Sequence, residues 1–175
     1  MFLNVDGIKI YYSTYKDLIP ARKSILFIHG FANDSTDWND SLAYFSTDFN
    51  LITIDLPGFG KSSVPFETKF YNEFFLSKII DSLISLLEIN KLILIGYSMG
   101  GRLALSFAQK SQYKIEALIL ESTSPGIDNT EEREIRKKSD LELVDFINKS
   151  SIEEFITYWK NQPLFHSQNQ LPKMK

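Results

Sequence analysis

The chain has 175 residues, of which 43% are hydrophobic and 23% charged, with a net charge of -3 and no cysteine. That size carries a single-domain core, and the composition excludes disordered and collagen-like classes. The charge supplies no basic field for nucleic acid, and the lack of cysteine removes disulfides, thiolate nucleophiles and zinc-thiolate sites. Residues 1–6 lack the basic and apolar regions of a secretory signal, and no apolar run reaches the ~20 residues of a membrane span. The expectation is a cytoplasmic protein with no membrane or nucleic-acid partner.

Two β-prone runs, residues 2–5 and 8–15, flank Asp6-Gly7, a strong tight-turn pair, and predict an amino-terminal hairpin. Residues 24–28, 51–54, 92–95 and 117–120 are then short, continuously apolar runs separated by helical stretches. This is the pattern of parallel strands covered on both faces, hence an α/β class with βαβ connections. Apolar spacing over residues 70–87 predicts a helix that covers the sheet, and residues 102–109 continue a second one. Beyond Glu121 the composition shifts to charge, with amphipathic spacing at Leu141, Val144, Ile147, Phe155, Ile156 and Trp159. We read residues 126–175 as a helical cap region, incomplete, on a core of residues 1–125; residues 168–175 show no strong pattern.

The chemistry concentrates behind the third parallel run, where Gly96-Tyr97-Ser98-Met99-Gly100-Gly101 places a serine on a sharp strand-to-helix turn. A serine hydroxyl needs a histidine to take its proton and an acid to orient that histidine. The chain holds His29 and His166 alone. His29 ends a strand on the wrong loop for a base and reads as a structural residue, and His166 falls within the cap. In such sites one oxyanion amide comes from the residue after the serine, here Met99, and another from the loop after the first parallel strand, here Phe31. Asp55-Leu56-Pro57-Gly58-Phe59-Gly60-Lys61-Ser62 lacks the full spacing of a phosphate loop, so Asp55 is expected to order its loop. Arg102 lies four residues beyond Ser98, on the same helical face, and Arg133 and Arg136 share another. Their ordinary reading is solvated charge. Their convergence on a serine turn suits bidentate recognition of carboxylates, with Trp159 as an aromatic wall. No ligand cluster calls for a metal or cofactor.

These motifs in this order make the chain resemble the α/β-hydrolase superfamily over residues 24–121. Within it, Gly96 to Arg102, Glu121-Ser122-Thr123-Ser124-Pro125-Gly126, Glu132-Arg133-Glu134-Ile135-Arg136 and Trp159-Lys160-Asn161-Gln162-Pro163 are similar to the 2-succinyl-6-hydroxy-2,4-cyclohexadiene-1-carboxylate synthases of menaquinone biosynthesis. The resemblance implies an α/β-hydrolase fold with amino-terminal hairpin and helical cap, truncated after the cap. It implies a lyase that eliminates pyruvate from a small multi-carboxylate substrate, with Ser98 as base. Arg102 and Arg136 would hold carboxylates, Tyr97 and Trp159 would line the pocket, and the amides of Phe31 and Met99 would meet developing negative charge. The family delivers its acid and histidine from two further strands, so the 175-residue polypeptide alone is expected to be inactive and poorly soluble. The competing readings are an ester or thioester hydrolase with Ser98 as covalent nucleophile, and an inactive fragment that only binds ligand.

Overall fold

The computed structural model describes residues 1–45, 48–113 and 115–165, so His166 and the patternless tail lie outside the described residues. The chain divides into two compact units, Met1–Pro125 and Gly126–Lys175.

The first unit is built on a six-stranded sheet. Strands β1 (Phe2–Val5) and β2 (Ile8–Thr14) form the expected hairpin, with Asp6 and Gly7 both at positive φ. Strands β3 (Lys23–Ile28), β4 (Phe49–Ile54), β5 (Leu92–Tyr97) and β6 (Ile115–Glu121) are parallel, and β2 joins them antiparallel to β4. The strand order is β1-β2-β4-β3-β5-β6, so β3 lies at the centre and the chain reverses direction across the sheet around it.

Alternation along the strands sends successive side chains to opposite faces and makes two cores. Leu26, Ile28, Ile52, Ile54, Leu92 and Leu94 face one side, together with Ile79, Ile80, Leu83 and Phe107 from α2 (Glu73–Leu86) and α3 (Met99–Lys110). Ile25, Phe27, Leu51 and Ile95 face the other, where Trp38 and Leu42 cover them from a 3-10 turn (Ser35–Trp38) and α1 (Asn39–Phe45). Each fully buried aliphatic or aromatic side chain contributes about 1.5–3 kcal/mol.

Two local differences from expectation have clear causes. The helix predicted from residue 70 starts at Glu73, because Asn72 caps it by accepting the Phe75 N–H at 2.9 Å. Strand β6 is not covered on both faces: Ile119 is 48% exposed and Leu120 38%, and β5 is its one paired neighbour among the described residues.

In the second unit α4 (Thr130–Lys149) and α5 (Ile152–Lys160) have no buried residue. Local devices define them. Asn129 caps α4, Ser151 and Glu154 form a capping box on α5, and the Phe146 and Tyr158 rings meet at a tilt with 4.5 Å between centroids. No helix among the described residues is long and apolar enough to cross a membrane.

Candidate active site

The site lies at the carboxyl ends of β3, β5 and β6, where an open α/β sheet presents its loops. Ser98 stands between β5 and α3 with φ 51 and ψ -110. A non-glycine residue in such backbone costs about 1–3 kcal/mol and persists only where its surroundings over-determine it.

Those surroundings can be named. The Ser98 N–H donates to the Glu121 carbonyl at the end of β6 at 2.9 Å, and the Ser98 carbonyl accepts the Arg102 N–H at 3.2 Å in the first turn of α3. Gly100 sits directly on the end of β3, where a Cβ would overlap the carbonyl oxygens of Ile28 and His29. Only glycine lets the helix start this close to the neighbouring strand. The parallel register Ile28 to Gly96 then brings the loop after β3 beside the serine turn, and a Cβ at Gly30 would lie 2.7 Å from the Tyr97 ring. Phe31, Tyr97, Ser98, Met99 and Arg102 are thus grouped at the carboxyl ends of β3 and β5. Met99 is the first residue of α3, and its N–H is one of the amides that a helix start leaves without an intrahelical acceptor.

The loop that carries Phe31 is fastened from below by two buried side chains. His29 is 1% exposed; its Nε2 accepts the Leu56 N–H at 3.0 Å, which leaves Nδ1–H to donate to the Gly30 carbonyl at 2.7 Å. Burial holds the imidazole below its ordinary pKa, against the raising effects of the Gly30 carbonyl and Asp55. With both ring nitrogens engaged and the neutral form favoured, His29 is a latch and not a base. Asp55 is 2% exposed and bridges two loops, with Oδ1 accepting the Ser35 N–H and Oδ2 the Lys61 N–H, both at 2.8 Å. It orders its loop, and so does Ser62, whose hydroxyl donates to the Asp55 carbonyl at 2.6 Å. Phe59 adds edge contacts to His29 and Phe31 at 5.2 and 5.9 Å.

Arg102 is exposed on the first turn of α3, and its side chain has no hydrogen-bond or ion-pair partner among the described residues. Its guanidinium is free for an anionic ligand. The other cationic candidates belong to the second unit. Arg136 is already paired there, its Nε 2.8 Å from Asp140 Oδ1 on the next turn of α4. Arg133 donates to the carbonyls of Ile127 and Asp128 and so closes the start of the helix. Trp159 stacks on Phe155 at 6.0 Å and meets Phe165 edge-on at 5.8 Å.

One residue escaped the reading of the sequence. Thr123, half-buried just past β6, directs its hydroxyl toward the serine turn, 2.9 Å from the Glu121 carbonyl and 3.4 Å from that of Ser98. The available signal was Gly101, whose added Cβ would overlap the Thr123 hydroxyl.

Residues 23–149 match the family model described as the alpha/beta hydrolase fold. The putative 2-succinyl-6-hydroxy-2,4-cyclohexadiene-1-carboxylate synthase of Bacillus subtilis strain 168 is 37% identical over 166 residues, which are 95% of this chain and 60% of that protein. The solved structure of MenH from S. aureus superimposes with a TM-score of 0.84 at 34% identity, covering 92% of this chain and 60% of the other. A thioesterase domain from the curacin biosynthetic pathway aligns with a TM-score of 0.66 at 26% identity, covering 80% and 52%. The chain therefore spans about 60% of the length of the synthase relatives. With the strained serine between β5 and α3 and a family match over most of its length, the chain belongs to the α/β-hydrolase fold family.

Proposed function

We propose that this chain carries the serine, oxyanion and carboxylate-binding part of a cytoplasmic lyase that eliminates pyruvate from a multi-carboxylate cyclohexene intermediate of menaquinone biosynthesis. The observation that carries the reading is the strained Ser98 turn with an unpaired arginine, Arg102, one helical turn beyond it. The likeness to the B. subtilis synthase and to S. aureus MenH supplies the reaction class.

In this reading Ser98 Oγ takes a carbon-bound proton from the substrate, and the freed electron pair shifts through the ring and expels the pyruvate unit. The amides of Phe31 and Met99 hydrogen-bond the negative charge that develops, an interaction stronger in the transition state than in the bound substrate. Arg102 grips one substrate carboxylate bidentately beside the serine. Tyr97, whose ring lies over Gly30, forms a wall of the same pocket. Arg136 and Trp159 belong to the second unit, where Arg136 is paired with Asp140 and Trp159 packs on Phe155. In this reading the histidine and acid that relay the serine proton would come from the share of the relatives' length that this chain does not span, about 40% of the B. subtilis protein.

The test is pyruvate release by the full natural chain, followed with lactate dehydrogenase. Pyruvate formed without a fluorophosphonate-sensitive ester hydrolysis supports the lyase. Fluorophosphonate labelling of Ser98 with turnover of p-nitrophenyl esters and no pyruvate would instead establish a hydrolase, the chemistry the thioesterase likeness suggests. Binding of a succinylbenzoate-like ligand with neither turnover would mark a protein that only binds.

A further inference from the structure

We propose that Thr123 is a positioning residue for Ser98, tying the end of β6 to the serine turn. The inference deepens the functional reading above, because it rests on Ser98 being the working group of the site.

A single carbonyl, that of Glu121, joins the two elements. It accepts the Ser98 N–H at 2.9 Å and the Thr123 hydroxyl at 2.9 Å, and the same hydroxyl stands 3.4 Å from the Ser98 carbonyl. Thr123 therefore reaches the Ser98 carbonyl directly, and the Ser98 N–H through the Glu121 carbonyl that both groups share. Its position has a conformational origin, since Ser122 is itself left-handed at φ 49 and folds the chain past β6 back over the turn. Gly101 completes the fit. A side chain there would collide with the Thr123 hydroxyl, so the bare first turn of α3 is the seat into which Thr123 fits. A β-branched side chain is stiff at χ1, so threonine holds its hydroxyl in one place better than serine would. Such an arrangement resists relaxation of Ser98 toward an ordinary backbone angle, which would swing its Oγ out of the position that the turn gives it.

Native-state amide hydrogen exchange in Thr123→Val and Thr123→Ser tests this, with Ser98 and Arg102 as reporters and Leu94 inside β5 as reference. The valine variant keeps the shape and loses the donor. It is expected to speed exchange at Ser98 and Arg102 about five- to tenfold, with Leu94 unchanged and the serine variant within about twofold of the parent. Unchanged exchange at Ser98, equal acceleration at Leu94, or a serine variant as fast as valine would each overturn the proposal. In the full natural chain, Thr123→Val is further expected to lower kcat for pyruvate release at unchanged KM, and an unchanged kcat would contradict it. The exchange readout needs no turnover. Absence of pyruvate release in the parent protein, with the exchange pattern intact, would sink the lyase reading and leave the Thr123 assignment standing.

Discussion

The two units are held together by different physics. In Met1–Pro125 the stabilising contacts join residues far apart in sequence: β3 pairs with β4 and β5, and Phe107, Leu83 and Ile10 meet in one buried cluster. In the second unit nothing in α4 or α5 is buried, its ion pairs among the described residues join neighbours four apart, Arg136 with Asp140 and Lys149 with Asp145, and the aromatic contact of Phe146 with Tyr158 links the two helices. Exposed ion pairs of that kind contribute only about 0.3–0.5 kcal/mol each. The difference teaches where strain can be stored. A serine at φ 51 requires a densely cross-braced surround, and only the first unit has one.

The comparison breaks first at Gly100. Gly100→Ala forces a Cβ into the Ile28 and His29 carbonyls, and a loss of about 3 kcal/mol or more is expected in urea unfolding. A change below about 1 kcal/mol would mean that the helix start is not pinned to β3. Next comes a matched pair of leucines. Leu83→Ala, at a fully buried position, is expected to lose about 2–5 kcal/mol, whereas Leu141→Ala on α4, 62% exposed, stays within about 0.5 kcal/mol. Comparable losses at the two sites would erase the distinction between the units.

The histidine latch comes third. His29→Ala unpairs the Leu56 N–H and the Gly30 carbonyl and is expected to destabilise by about 2–3 kcal/mol. The same residue sets a pH dependence. Its folded pKa lies below the ordinary value of 6.5, so the unfolded chain binds the proton first as pH falls, and stability declines as pH drops through and below 6.5. Urea midpoints measured from pH 7.5 downward should show this decline in the parent and a flatter profile in the variant; identical slopes would remove the latch from the account. The smallest effect is expected at Ser151→Ala, which removes the α5 capping box at about 1 kcal/mol or less, read as lost helicity over residues 152–160 with β5 amide protection unaltered.

Much of the fold was legible because its signals are local. Continuous apolar runs marked β3 to β6, Asp6-Gly7 marked the hairpin, and the glycines around Ser98 marked the turn. The segment from Ser35 to Phe45 was covered only by the general expectation of helical stretches between strands, because its polar residues hide Trp38, Leu42 and Phe45, which recur at helical spacing behind the cap residue Asp34. The placement of β4 between β2 and β3 depends on long-range pairing that no window of sequence contains. Around the candidate site, the sharp turn at Ser98 and the structural role of His29 followed from motif and position. The ion pair of Arg136 with Asp140 was open to an i, i+4 reading and was passed over in favour of ligand binding. Thr123 could not be found from its own neighbours, since its meaning comes from a glycine 22 residues earlier that the fold brings beneath it.

The most direct measurement of the central claim is kcat/KM for pyruvate release by the full natural chain and its Ser98→Ala variant, with ligand affinity measured alongside. The account predicts a fall of at least about 10³-fold at nearly unchanged affinity, since the change removes the proton acceptor and leaves the amides and Arg102 in place. A variant that still releases pyruvate within tenfold of the parent would contradict Ser98 as the base.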